Sequence, residues 1–95
     1  MRLEVDDEAL SEVEDARRHY ALISTALGEE FVLAIDSAFS SIAAQPHLYA
    51  SYSMRTRRLV LSRFPYAVVY RIRGDVIRVL AAYHQRRKPG YWRGR

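Results

Sequence analysis

The residues of this 95-residue chain that are best suited to chemistry lie in its last twelve residues, HQRRKPGYWRGR. His84 has an imidazole, which near neutral pH serves as a general acid or base. Arg86 and Arg87 supply cations that bind carboxylate or phosphate, and the adjacent Tyr91 and Trp92 supply rings that stack on bases. No carboxylate lies near His84 in the sequence to orient it. We therefore expect His84 to fix this segment by hydrogen bonding rather than to catalyse a reaction.

The turn residues Pro89 and Gly90 stand directly before the aromatic pair. A directed turn predicts that the chain folds back, with Trp92 packed and Tyr91 partly exposed. Lys88 and its two arginine neighbours then form an exposed basic cluster. The sequence has no phosphate-cradling glycine loop, carboxylate dyad or serine nucleophile motif, and neither remaining histidine has a partner at metal-ligand spacing. It predicts neither a metal nor a cofactor.

Charge is divided unequally along the chain. Residues 1–50 hold three cations against ten carboxylates (−7), whereas residues 51–95 hold twelve cations against one carboxylate (+11). Such asymmetry predicts an acidic partner, either protein or nucleic acid, for the second half. A second interpretation also stands, in which the two halves neutralise each other.

Length and composition predict one domain over residues 1–95. The apolar fraction of 49% is that of a globular protein, and no apolar run reaches the ~20 residues of a membrane span. The chain has no cysteine and no signal-peptide pattern at its acidic N-terminus. We expect a cytoplasmic protein that does not enter a membrane.

The first half reads as a short strand over residues 2–5 and two helices. Asp6 or Asp7 offers an N-cap, and apolar residues then recur at helical spacing until Gly28, which we expect to end the first helix. The residues on that predicted face are Leu10, Val13, Ala16, Tyr20, Ile23 and Leu27. A second helix carries Phe31 and Ile35 and ends near Gln45, before Pro46. The short connection predicts an antiparallel helical hairpin.

The second half predicts an antiparallel sheet after a loop over residues 46–56. Residues 58–62, 66–73 and 76–83 are strand candidates, and Gly74–Asp75 suits a two-residue hairpin turn. That turn fixes the register of the hairpin. One face then carries the pairs Ile72–Ile77, Tyr70–Val79, Val68–Ala81 and Tyr66–Tyr83, which we expect to pack on the helices.

The other predicted face pairs Arg73 with Val76, Arg71 with Arg78, Val69 with Leu80, and Ala67 with Ala82. Directly opposed arginines repel each other and call for an anion. Because an apolar strip would lie among them, this face resembles a groove for an acidic amphipathic peptide. Alternatively, the arginine side chains splay into water and cover the strip with their stems.

The order of elements, together with FPYAVVYRI at residues 64–72 and HQRRKPGYWRGR at residues 84–95, resembles the RelE/ParE toxin family of bacterial toxin–antitoxin modules. The resemblance implies an α+β fold of order β-α-α-β-β-β and a plasmid-stabilisation or chromosomal toxin. It also implies a cognate acidic antitoxin, which we place on Arg71, Arg78, Val69 and Leu80.

The resemblance leaves two chemistries open. ParE-like members poison DNA gyrase, whereas RelE-like members cleave mRNA on the ribosome and commonly carry an arginine where this chain has Ala67. We favour the gyrase branch, with target contacts at His84, Arg86, Arg87, Tyr91 and Trp92. A nuclease would instead use Arg58, Arg63, His84, Arg87 and Tyr91. A third possibility is a degenerate member that only binds its antitoxin.

Overall fold

The structure is a computed structural model that describes residues 1–53, 55–88 and 90–95. The elements in chain order are β1 (Arg2–Val5), α1 (Asp7–Ile23), α2 (Thr25–Ala44), β2 (Arg57–Val60), β3 (Tyr66–Arg73) and β4 (Val76–His84). This confirms the predicted α+β class and element order. Two predicted features extend beyond the described residues: the loop over 46–56 includes Met54, and the turn before the aromatic pair includes Pro89. Within the described part of the chain, neither helix combines the length and hydropathy needed to cross a bilayer.

The two helices meet at Ser24, not at Gly28 as predicted. The Ser24 N–H donates to Tyr20 O (3.0 Å), and its side-chain oxygen accepts from Leu27 N–H (3.1 Å). Ser24 is therefore both the C-cap of α1 and the N-cap of α2. Serine is a preferred residue at the N-cap position. Gly28 lies inside α2, where an added Cβ would come 3.0 Å from Ala21 Cβ. The glycine allows close helix–helix contact rather than ending a helix.

The predicted apolar face of the first helix is correct only in part. Ala16 is buried, and Val13 and Tyr20 are partly buried against the core. Leu10 and Ile23 are exposed. The small residues Ala9 and Ala16 are the buried positions of α1, so this helix lies close to the sheet.

The sheet has the strand order β1-β4-β3-β2. The pairs β2–β3 and β3–β4 are antiparallel, but β1 pairs with β4 in parallel. The sheet is therefore mixed rather than fully antiparallel. The helical hairpin carries the chain from β1 to β2 at the opposite edge of the sheet, and after β3 the strand β4 comes to lie between β3 and β1, parallel to β1.

The predicted register of the β3–β4 hairpin holds only near its turn. Arg73 lies opposite Val76 and Tyr70 opposite Val79, but the register then shifts by one residue, so that Val69 lies opposite Ala81. The predicted pairs Val69–Leu80, Val68–Ala81, Ala67–Ala82 and Tyr66–Tyr83 are wrong. A bulge of this kind places two consecutive residues of one strand against one of its partner.

The bulge decides which residues of β4 face the helices. The inner face packs on α1 and α2 through Val68, Tyr70, Ile77 and Val79, against a helical core that includes Phe31. The outer face carries a separate buried cluster, made of Ala67, Val69, Leu80, Ala81, Tyr83 and Trp92. Ala81 and Tyr83 belong to this outer cluster, contrary to the prediction that they pack on the helices. Both faces of the sheet are thus covered in part.

Candidate functional site

The candidate site is the C-terminal segment, residues 85–95, together with the outer face of the sheet that it covers. Its first turn is fixed at His84, whose carbonyl accepts from Arg87 N–H (2.9 Å) and whose Nδ1 accepts from Arg86 N–H (3.1 Å). The His84 ring also packs edge-on against Tyr66, with ring centroids 5.3 Å apart. These hydrogen bonds hold the first turn of the segment at His84, whose role in function stays a prediction.

Trp92 is the main contact between the C-terminal segment and the sheet. It is only 2% exposed, and its ring lies 5.4 Å from that of Tyr83 and 5.7 Å from that of Tyr52. Tyr91 beside it is only partly buried. The prediction of a packed Trp92 and a partly exposed Tyr91 is confirmed. Aromatic rings at these distances stabilise each other beyond simple burial of area.

Glu12 of α1 accepts hydrogen bonds from four groups around the C-terminal segment. Its Oε1 lies 3.2 Å from Ala82 N and 2.9 Å from Arg95 Nη1. Its Oε2 lies 2.5 Å from Tyr91 Oη and 3.5 Å from Arg87 Nη1. The carboxylate side chain is 14% exposed. A largely buried charge is tolerated when its lone pairs are satisfied in this way.

Tyr91 is held as a hydrogen-bond donor. Burial, followed by its hydrogen bond to Glu12, raises the pKa of the Tyr91 hydroxyl well above its ordinary value. The guanidinium of Arg87 lies over the Tyr91 ring, 3.6 Å from its centroid. A tyrosine with a raised pKa and a carboxylate acceptor keeps its proton, so this group is unsuited to act as a general base near neutral pH.

The five residues predicted for a nuclease do not all share the same contacts. Arg58 lies on the outer face, where it donates to Tyr83 Oη (2.9 Å) and lies over the Tyr52 ring. Arg63 instead forms an ion pair with Glu30 of α2 (2.7 Å). The remaining three, His84, Arg87 and Tyr91, cluster near Glu12. Ala67, where nuclease relatives commonly carry arginine, has no exposed surface and belongs to the same cluster as Trp92.

The predicted peptide groove on the outer face is only partly open. Arg71 does lie opposite Arg78, as predicted. Val69 and Leu80, however, are 0% and 3% exposed, because the C-terminal segment covers them with Trp92. They form no accessible apolar strip. The register shift and the return of the chain, neither of which the strand pattern shows, are the physical reasons.

The anion that relieves the opposed arginines comes from the chain itself. Asp6, a buried residue at the start of α1, lies 2.6 Å from Nε of Arg78. Asp6 occupies the N-cap position but makes no side-chain capping hydrogen bond. Its carboxylate is used for the ion pair instead of the helix terminus.

Charge neutralisation between the two halves is incomplete. Among the described residues, four of the twelve late cations form ion pairs with early carboxylates: Arg63, Arg78, Arg87 and Arg95. Arg86, Arg87 and Lys88 are exposed, as predicted. A basic surface therefore remains available to a partner after the internal pairs are counted.

Two carboxylates that the sequence pattern did not indicate share a cleft with His84. A cleft of about 200 Å³ is lined by Glu12, Asp15, Tyr66, His84 and Arg87, among others. Both carboxylates come from α1, far from His84 in the sequence. Glu12 follows Ala9 by three residues and precedes Ala16 by four, so helical spacing alone places it beside two core positions. Within the described residues no three His, Asp or Glu side chains form a metal-binding group.

Comparisons with known proteins bear on the family and the fold of this chain. Residues 3–89 match the model of a family described as the ParE toxin of type II toxin–antitoxin system, parDE. A solved structure titled the chromosomal ParDE TA system from P. aeruginosa aligns with a TM-score of 0.70 at 18% sequence identity. The alignment covers 88% of this chain and 95% of that one. No curated protein gives a significant sequence match. Since the family model spans nearly the whole chain, this chain belongs to the ParE toxin family of type II toxin–antitoxin systems.

Proposed function

We propose that this chain inhibits DNA gyrase through a protein contact made by its C-terminal segment, and that a cognate acidic antitoxin holds it inactive. The observation that carries the proposal is the covered outer face of the sheet. Ala67, the position of the nuclease arginine, is buried in the cluster that Trp92 completes. A substrate phosphate cannot reach it while the segment is docked.

The chemistry of the segment also favours binding over RNA cleavage. A preorganised cation at a developing oxyanion is worth about 3 to 4 kcal/mol in rate, and Ala67 supplies none. Burial and the hydrogen bond to Glu12 raise the pKa of Tyr91 further above neutral pH, which makes its deprotonated form still less accessible. Arg63, a further phosphate candidate, is paired with Glu30. What remains is an exposed cationic surface, which suits recognition of a macromolecule.

The exposed part of that surface is the turn after β4. Arg86, Arg87 and Lys88 project there, and the backbone is held by His84. Arginine is enriched among the residues that dominate protein interfaces. We assign the target contact to Arg86 and Arg87, with His84, Tyr91 and Trp92 supporting their position.

The antitoxin contact is proposed for the uncovered part of the outer face. Arg71 and Arg73 have no carboxylate within ion-pair distance among the described residues, and Arg78 is paired only with Asp6. An acidic segment over this row would neutralise opposed cations that the chain leaves incompletely paired. Contact with Val69 or Leu80 would require displacement of the C-terminal segment, because both are buried beneath it.

The test uses two reciprocal variants of the purified toxin. In a plasmid supercoiling assay with gyrase, we expect the wild-type chain to inhibit and the Arg86→Ala/Arg87→Ala variant to lose at least about tenfold in potency, as truncation of interface arginines does. The double variant is expected to bind antitoxin normally. Arg71→Glu is the matched control, with unchanged inhibition and weakened antitoxin binding.

Other outcomes would redirect the proposal. Full inhibition by the double variant would remove the C-terminal segment from the mechanism. Cuts at fixed codon positions in ribosome-bound mRNA, with gyrase unaffected, would establish the RelE-like alternative. Normal growth on expression without antitoxin would leave only a non-toxic, antitoxin-binding member of the family.

A further inference from the structure

The strand β4 has an open edge over its second half. The parallel strand β1 pairs with β4 only from Val76 to Val79. The chain then leaves the sheet, and its last backbone bond to β4 runs from Asp6 N–H to Val79 O (3.0 Å). Within residues 1–53, 55–88 and 90–95, no further strand pairs with the backbone groups of β4 beyond that point on this side. An uncovered edge of this kind is a site for unwanted pairing.

Two side chains cover that edge in place of a strand. Ala82 N–H donates to Glu12 (3.2 Å), and Leu80 O accepts from Arg95 (3.1 Å). Arg95 in turn donates to Glu12 (2.9 Å). One residue of α1 and one residue at the end of the chain thus close the edge as an ion pair.

Glu12 also binds two other parts of the C-terminal segment. It accepts from the Tyr91 hydroxyl, next to the buried Trp92, and from Arg87 in the exposed basic turn. Its side chain is largely buried, so these donors replace water that the carboxylate has lost. Charge-assisted hydrogen bonds are the strongest of their kind in proteins. Glu12 makes short ones to Tyr91 and Arg95 and a longer, more exposed contact to Arg87 at 3.5 Å.

We propose that Glu12 is the positioning residue of the C-terminal segment. By binding Arg87, Tyr91 and Arg95 at once, it fixes the segment across the edge of β4 and keeps Trp92 over the outer face. The functional consequence rests on the proposed function: the basic turn contacts the target only when the segment is docked. Without Glu12, Arg87 and Arg95 lose their shared anion. Arg95 then keeps its longer contact with Glu8 (3.9 Å) and its bond to Leu80 O, and the equilibrium shifts towards the released segment.

The inference is testable because Trp92 is the only tryptophan of the chain. Its fluorescence reports directly whether the segment is docked, and acrylamide quenching reports its exposure to solvent. We compare purified wild type, Glu12→Gln and Glu12→Lys. Glu14→Lys is the matched control, since Glu14 lies on the same helix but pairs with Arg17 and Arg18.

We expect Trp92 to be shielded in the wild type and in Glu14→Lys, and quenched severalfold more strongly, with red-shifted emission, in Glu12→Lys. Glu12→Gln, which retains an acceptor but not the charge, is expected between them. Loss of charge-assisted hydrogen bonds should lower the ratio of docked to released segment about 10- to 100-fold. Equal shielding of Trp92 in wild type and Glu12→Lys would overturn the inference.

Two further arms keep the result interpretable. If Glu12→Lys fails to fold by circular dichroism, the double variant Tyr91→Phe/Arg95→Gln removes two donors without changing α1, and the same exposure of Trp92 is expected.

In a separate experiment, gyrase inhibition is measured on Glu12→Gln. An exposed Trp92 with undiminished inhibition would sink the role of the segment in the proposed function while the positioning role of Glu12 stands. If Trp92 is as shielded in Glu12→Lys as in the wild type, Glu12 does not position the segment, whatever the effect on gyrase inhibition.

Discussion

The two faces of the sheet are covered by different kinds of structure. Two helices, which contain 37 residues in total, cover the inner face. A short C-terminal segment with one large anchor, Trp92, covers part of the outer face. The inner cover depends on apolar packing over a wide area. The outer cover depends on one aromatic cluster and on polar contacts to Glu12. The smaller and more polar cover should open first, because local stability follows the number of buried apolar contacts.

This difference separates stability from function. The inner face holds the fold, and its side chains have little access to a partner. The outer cover carries exposed cations on its turn and an apolar anchor beneath. A segment of modest local stability is suited to recognition, since binding sites are drawn from the less stable parts of a fold. The comparison makes three predictions.

The largest effect is expected on the inner face. Phe31 is fully buried and packs edge-on against Phe64 and near Tyr20. Replacing Phe31 with Ala leaves a cavity and should lower the free energy of unfolding by about 3 to 5 kcal/mol. Urea unfolding followed by circular dichroism measures this. A loss below that of the outer-face variant described next would contradict the comparison.

A smaller effect is expected for Trp92→Ala on the outer face. The variant loses the apolar burial of its anchor, but the released segment regains backbone freedom, which offsets part of that loss. We expect the free energy of unfolding to fall by about 1 to 3 kcal/mol. Hydrogen exchange should show new exposure in residues 90–95 but none in β3 near Tyr70. Exposure spreading into that strand would mean that the two covers are not independent.

The smallest effect is expected for Glu14→Gln, because the partly exposed Glu14 carboxylate pairs with Arg17 and Arg18 of its own helix. The hydrogen bond from Arg17 is the main cause that lowers the pKa of Glu14 from 4.5 to about 2, and Arg18 contributes to the lowering. A lowered pKa in the folded state stabilises the fold above the unfolded pKa, and this contribution is lost as the pH falls from about 4.5 towards 2. Because the pair is exposed, water screens it.

Wild type should therefore lose slightly more stability than Glu14→Gln between pH 5 and pH 3, a window set by that lowered pKa. At neutral pH, Trp92 fluorescence of the variant should be unchanged. Thermal unfolding at the two pH values measures the first expectation. An identical acid dependence in both proteins would show that the exposed ion pair contributes nothing measurable.

Local patterns predicted much of this fold. The ends of β3, the turn at Gly74 and the limit of α2 before Pro46 all follow from short-range propensity and turn chemistry. The end of α1 was not predicted correctly, because Ser24 and Gly28 are both residues that can end a helix. Glycine commonly ends a helix, but Ser24 capped both helices first, and Gly28 was needed for close packing on Ala21. Only the packing partner distinguishes these two uses of glycine.

The register of the β3–β4 hairpin is a second feature that the sequence pattern did not predict correctly. Leu80, Ala81 and Ala82 are consecutive apolar residues, so each fits either face of the sheet. Strict alternation, which normally fixes register, is missing at this point. The shift moved Ala81 and Tyr83 to the outer face and made room for Trp92 among them. For this reason the predicted apolar strip at Val69 and Leu80 is covered.

The sequence by itself determined the elements, the uneven charge and the return of Trp92 to the sheet, because periodicity, turn residues and charge are encoded within short spans. Only the tertiary structure decided which carboxylate meets which cation. Glu12 and Arg95 lie at opposite ends of the chain, and they meet because α1 packs closely on β4 where β1 has already ended. Such pairings depend on the relative placement of distant elements, which no local pattern specifies.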